Sequence, residues 1–238
     1  MRGWWREIAG LVLPVDCAGC GAARVLLCAG CREALSGAGA GRVRPSPAPE
    51  GLPVVYAAAG YEGPVREVLL AHKERGALPL AGALGRALAA AVLVGGWAPG
   101  AGEVALVPVP SARRQVRARG HDPARRIALA AAGRLRRAGV PARVAPVLRL
   151  RRAVADQAGL GAGERLENLA GALEVRRGGV RAVAGAAVVL VDDLVTTGAT
   201  LAEAARAVRA AGLGAAGAGP RAAVVAAATG NSKRAKVL

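Results

Sequence analysis

Val188-Val-Leu-Val-Asp-Asp-Leu-Val-Thr-Thr-Gly-Ala-Thr-Leu201 decides how this chain folds. Its apolar half, Ala186 to Val191, is a continuous run of the kind buried on both faces of a sheet. Two adjacent carboxylates, Asp192 and Asp193, follow it. A turn rich in hydroxyls and Gly comes next, and then a helix from about Ala199 to Ala211. Outward from this segment the alternation repeats. Strands are expected at Val54–Ala59, Val104–Val109, Val144–Leu150 and Ala222–Ala227. Helices are expected at Pro64–His72, Leu80–Val94 and from Pro123 to about Arg137, with Asp122 as N-cap and Gly139 as the stop. The polar stretch Arg151–Asn168 reads as a long loop. Strand–helix alternation of this sort specifies an α/β fold, a mostly parallel twisted sheet with helices on both faces. Ligands of such folds bind beyond the carboxyl ends of the strands.

Each part of the 192–200 segment has a chemical use. Paired carboxylates accept hydrogen bonds from vicinal sugar hydroxyls or hold hydrated Mg²⁺. Thr196, Thr197 and Thr200 supply hydroxyl donors, and Gly198 lets backbone approach a ligand closely. The helix start at Ala199 aims free N–H groups and a positive dipole end at an anion. The chain has only four threonines, and three of them fall here. Capping an ordinary helix would use one such residue, whereas a ribose 5-phosphate ligand would use them all.

The 238 residues suffice for one substantial domain and a small attachment. All four cysteines lie in Cys17-x2-Cys20-x7-Cys28-x2-Cys31. Two C-x2-C knuckles match a tetrahedral, structural Zn²⁺ site, with Gly19, Gly21 and Gly30 for the turns. The rival, two disulfides, is disfavoured in a reducing compartment. The expected organisation is a zinc-binding module over 1–35, a Gly/Pro/Ala/Ser linker over 36–52, the α/β domain over 53–229 and a basic tail over 230–238. No secretory signal is visible, and Arg86, Pro79 and glycines interrupt the apolar stretch Ala77–Ala98. The expectation is therefore a cytoplasmic protein with no membrane insertion. The net charge of +17 points to an anionic partner, against the bland alternative of an Ala/Arg/Gly compositional bias.

The acidic–threonine segment resembles the phosphoribosyl pyrophosphate signature of type I phosphoribosyltransferases. More of the chain is similar to one branch, the ComF family of competence and amidophosphoribosyltransferase-like proteins. Val107-Pro-Val-Pro110 with Arg113, Arg114 and Arg117-Ala-Arg-Gly120 resembles that family's pyrophosphate loop. Asp156, Gln157, Arg165 and Asn168 resemble its mobile loop, and the cysteine-rich start belongs to the same pattern. His121-Asp122-Pro123 stands where the family commonly has an aromatic residue, Asn and Gln.

The resemblance implies a type I phosphoribosyltransferase fold with a small N-terminal zinc module. It implies that Asp192 and Asp193 contact the ribose hydroxyls, and are the catalytic acids if the protein turns over. Val195, Thr196, Thr197, Gly198, Ala199 and Thr200 would wrap the 5-phosphate. Ser111, Arg113 and Arg114 would face the pyrophosphate, with Mg²⁺ accompanying the ligand. Lys73 joins the candidates on a different ground: of three lysines it alone lies inside the domain, where arginine otherwise replaces lysine. His72 is given no role. The functions implied are a phosphoribosyltransferase, a non-catalytic competence adaptor for single-stranded DNA or DNA-uptake proteins, or a regulator sensing phosphoribosyl pyrophosphate.

Overall fold

The structure is a computed structural model that describes residues 16–152, 154, 162–213 and 219–228, with backbone alone at 162 and 165. Gln157, Asp156 and the tail 230–238 lie outside the described residues, as does the side chain of Arg165.

The main sheet contains β1 (Gly41–Val43), β2 (Val55–Gly60), β3 (Val104–Pro108), β4 (Ala142–Val144), β7 (Ala187–Val195) and β8 (Arg221–Ala227). Their order is β1-β2-β8-β7-β3-β4. Only β1 is antiparallel to its neighbour. A separate antiparallel ribbon pairs β5 (Leu148–Leu150) with β6 (Leu173–Val175). The helices are α1 (Ala29–Ala34), α2 (Gly63–Glu74), α3 (Ala81–Val94), α4 (Arg113–Arg119), α5 (Pro123–Arg137), α6 (Ala162–Leu169), α7 (Gly179–Ala182) and α8 (Ala199–Ala210). None of the described helices is long and apolar enough to cross a membrane.

Strand residues alternate between two cores, as a sheet covered on both faces requires. Val104 and Leu106 of β3, Val189 and Val191 of β7 and Val225 of β8 face α2, α3 and α5. Ala105, Val107, Leu190 and Val224 face α8 and the ribbon. In a chain with no Phe, close approach replaces bulk. At Gly85 an added Cβ would lie 2.5 Å from Ala130 Cβ, so α3 and α5 meet almost backbone to backbone.

Four expectations are corrected. The strand expected over 144–150 is two strands in different sheets, because Pro146 lacks the N–H a ladder needs. The strand expected to end at Val191 runs on to Val195, because β8 continues beside it to Ala227. The polar stretch 151–168 holds α6, whose Leu169 is buried. The stretch 36–52 is no free linker: Gly41–Val43 adds an edge strand to the sheet, and Gly37 sits against Ala90 of α3.

The β5–β6 ribbon is fastened by buried Glu203 and its exposed partner Arg206. Glu203 of α8 accepts from the Leu173 backbone N–H at 2.9 Å and from Arg206 Nε at 2.7 Å. Arg206 also donates to the Leu173 carbonyl at 2.9 Å. Burial pushes the Glu203 carboxyl up, but Arg206 and the Leu173 N–H outweigh it and hold it below the usual value. Its contribution is therefore complete above the unfolded pKa of about 4.3 and disappears as pH falls through the lowered folded value. Glu203→Gln is expected to lose about 1.5–3 kcal/mol, the usual worth of a hydrogen bond to a charged group. Faster amide exchange at Leu173 would check it, and unchanged exchange and stability would refute it.

Candidate functional site

Sheet order locates the site. From β3 the chain passes to β4 on one side and, after the ribbon, to β7 on the other. Connections leaving neighbouring strands in opposite directions open a crevice at their carboxyl ends. β3 stops opposite Val191, where the Val109 N–H still donates to the Val191 carbonyl at 2.9 Å. β7 then overhangs, with Asp192 and Leu194 paired to β8 alone. The two carboxylates therefore stand on a strand edge that β3 has vacated, facing a cleft of about 1410 Å³.

Most expected site residues meet in this cleft. Asp192, Asp193, Thr196 and Thr200 line it from β7 and the following turn. Ser111, Arg113 and Arg114 line it from the segment that follows β3, and Lys73 lines it from the last turn of α2. Val195 and Ala199 are buried beneath the turn. Thr197 Oγ1 accepts from the Ala199 N–H at 3.4 Å, a long local bond that steadies the turn. Gly198 has φ +82°, in the left-handed region where only Gly is unstrained. An added Cβ there would also meet Leu52 Cδ1 at 2.8 Å, so the 36–52 stretch buttresses the turn from behind.

Lys73 makes the contact that the sequence does not reveal. Its Nζ lies 2.8 Å from Asp193 Oδ2, whose side chain is 7% exposed. Burial pulls the ammonium down, but the carboxylates of Asp193 and Asp192 outweigh it and raise Lys73 above its usual value. Burial and the neighbouring Asp193 push the Asp192 carboxyl well above the usual range, with Lys73 opposing. The flanking residues are tied as well. The His72 carbonyl lies 3.0 Å from His121 Nε2. Glu74 accepts from Arg119 Nε and Nη2 at 2.9 and 2.7 Å. Residues 72–74 thus join the acid pair to α4, a helix that buries no residue of its own. His72, expected to have no role, is buried and stacks edge-on with His121 at 5.3 Å.

Sequence reasoning missed the second wall of the cleft, which carries Arg149, Arg151, Arg152, Arg176 and Arg177. The paired arginines at 151–152 and 176–177 bracket it, but in so arginine-rich a chain they do not stand out.

A second cluster lies at the other end of α2. The sulfurs of Cys17, Cys20, Cys28 and Cys31 all fall within 4.8 Å of one another, and none forms a disulfide. Thiolates at tetrahedral Zn–S distances would be about 3.8 Å apart, and Cys20 and Cys28 already stand at 3.6 Å. Burial raises the Cys17 thiol, yet backbone N–H groups of Cys28, Cys20 and Gly19 bring it down to about 6. The four cysteines can therefore hold a zinc ion.

No protein-family model matches the sequence, and no curated protein matches it either.

Proposed function

We propose that the chain binds phosphoribosyl pyrophosphate with Mg²⁺ in the cleft between β3 and β7, as a phosphoribosyltransferase of the ComF type. The observation that carries this reading is the juxtaposition of the Asp192–Asp193 pair and the 195–200 turn with Arg113 and Arg114 across a switch point of the sheet. In this reading Asp192 and Asp193 take the ribose hydroxyls. The N–H groups at the start of α8 and the threonine hydroxyls take the 5-phosphate. Ser111, Arg113 and Arg114 take the diphosphate, whose geometry suits the guanidinium fork.

The ribose C1–O bond to the diphosphate breaks, and its electron pair leaves with the pyrophosphate. A lone pair of the acceptor forms the new bond to C1, and the acceptor's proton passes to solvent. Mg²⁺ bound with the ligand would supply charge neutralisation on the pyrophosphate. Zn²⁺ on the four cysteines is structural, since all four positions are filled by protein.

The test is calorimetry on the full-length protein with Mg²⁺ and millimolar phosphoribosyl pyrophosphate, alongside thermal unfolding. Heat of binding is expected, with a melting temperature that climbs with ligand concentration by mass action. Removal of Mg²⁺ should weaken both. A folded, nucleotide-free preparation that gives neither heat nor shift would reduce the 192–200 segment to a capped helix.

A further inference from the structure

The ligand proposed above uses one wall of the cleft and leaves the other without a task. We infer, resting on that reading, that the β5–β6 wall is a subsite for a small organic anion, a carboxylate with an apolar body, bound beside the ribose.

Three observations carry this. The first is charge. Arg149 and Arg151 share Glu174, at 2.7 and 3.5 Å. Arg176 and Arg177, on the same wall, have no carboxylate partner among the described residues. Like charges gathered in a cleft repel and concentrate a field that an entering anion relieves.

The second observation is the lining between those arginines, where half-buried Leu150 presents hydrocarbon. Inorganic anions gain nothing from that surface, whereas an organic body loses water against it. The third is the lack of aromatic lining. Tyr56, Tyr61 and Trp97 are the aromatic residues among those described, and none lines the cleft. A neutral nucleobase therefore meets no stacking platform there, and it would leave Arg176 and Arg177 without an anion. Position agrees with this chemistry. Arg113 and Arg114 mark the leaving-group side in the proposed reading. The opposite wall is where an acceptor must stand for in-line displacement.

The experiment uses full-length protein saturated with ribose 5-phosphate and Mg²⁺-pyrophosphate. It titrates two matched pairs, nicotinate against nicotinamide and orotate against uracil. Each carboxylate is expected to bind at least about tenfold tighter than its neutral partner, the scale set by one hydrogen bond to a charged group. Arg176→Gln with Arg177→Gln should abolish the preference, and the corresponding double Lys variant should restore part of it. Equal binding within each pair, or binding of neither, overturns the inference. So does displacement of nicotinate by an equal concentration of sulfate, which would indicate a bare charge site. A separate arm measures the thermal shift with phosphoribosyl pyrophosphate. If that shift is present but the carboxylate preference is absent, only the inference falls. If that shift is absent, the reading beneath it falls too.

Discussion

Stripping metal from the four-cysteine cluster is expected to destabilise the whole chain, not only its first segment. Cys17, Leu27, Cys31 and Leu35 lie in the same core as Val65, Val68 and Leu69 of α2 and Leu84 and Leu88 of α3. Contact is tight, for a Cβ at Gly19 would fall 2.7 Å from Cys31 Sγ and 3.2 Å from Pro64 Cβ. Helix α1 depends on the cluster too, since Cys28 is its N-cap and Cys28 Sγ accepts from the Cys31 N–H at 3.5 Å. The sequence alone suggests a separate module whose loss spares residues 53–229. A shared core argues otherwise. Structural Zn²⁺ in small modules contributes about 10–16 kcal/mol of apparent binding energy, comparable to the roughly 5–15 kcal/mol of a whole domain. If half of that is lost, about 5 kcal/mol, the melting temperature should fall by roughly 10–20 °C at this chain length. Chelation under reducing conditions, and Cys28→Ser, should both do this, with about one Zn²⁺ per chain measured beforehand. A protein that carries no zinc, or that melts unchanged after chelation, would refute the expectation.

How far the sequence reads the molecule depends on the range of the interactions involved. The α5 start is legible because its signals are local: Asp122 caps Arg125 N–H at 3.0 Å, and Pro123 takes the first helical position. The strand–turn–helix around Asp192 is legible for the same reason, and so is the cysteine spacing. The ribbon is not, since β5 and β6 are three residues each and their pairing depends on where the chain returns. Helix α6 has only Leu166 and Leu169 as large apolar residues, too few for a helical period to show. The extension of β7 past Val191 is set by its neighbour β8, which no local pattern announces. Lys73 stands out in sequence through the scarcity of lysine, but its partner does not. A cation on the last turn of α2 meets a carboxylate on β7, 120 residues further along the chain, and no local pattern announces that meeting.

That ion pair supports the last prediction, in which its two halves behave oppositely. Lys73→Met keeps most of the side-chain stem and removes the cation from beside two adjacent carboxylates. Breaking a buried pair costs about 3–5 kcal/mol because the remaining charge has no compensation. Here the Lys73 side chain is 34% exposed, and solvent screening reduces the figure to about 2 kcal/mol. The melting temperature should fall by roughly 4–8 °C. Millimolar Mg²⁺ should recover much of that loss, because a divalent cation now meets an acid pair with no internal competitor. Mg²⁺ should therefore stabilise Lys73→Met more than the unaltered protein. Asp193→Asn removes a carboxylate instead. It should respond little to Mg²⁺ and bind phosphoribosyl pyrophosphate roughly 10–100-fold more weakly, the equivalent of one charge-assisted hydrogen bond at about 1.5–3 kcal/mol. The double variant Lys73→Met with Asp193→Asn should be more stable than the sum of the single losses predicts, since neither half of the pair is then left charged without the other. Thermal unfolding with and without Mg²⁺ across the four proteins decides the matter. Equal Mg²⁺ shifts in all four, or strict additivity of the two substitutions, would mean that the 2.8 Å contact does not control the charge of the acid pair.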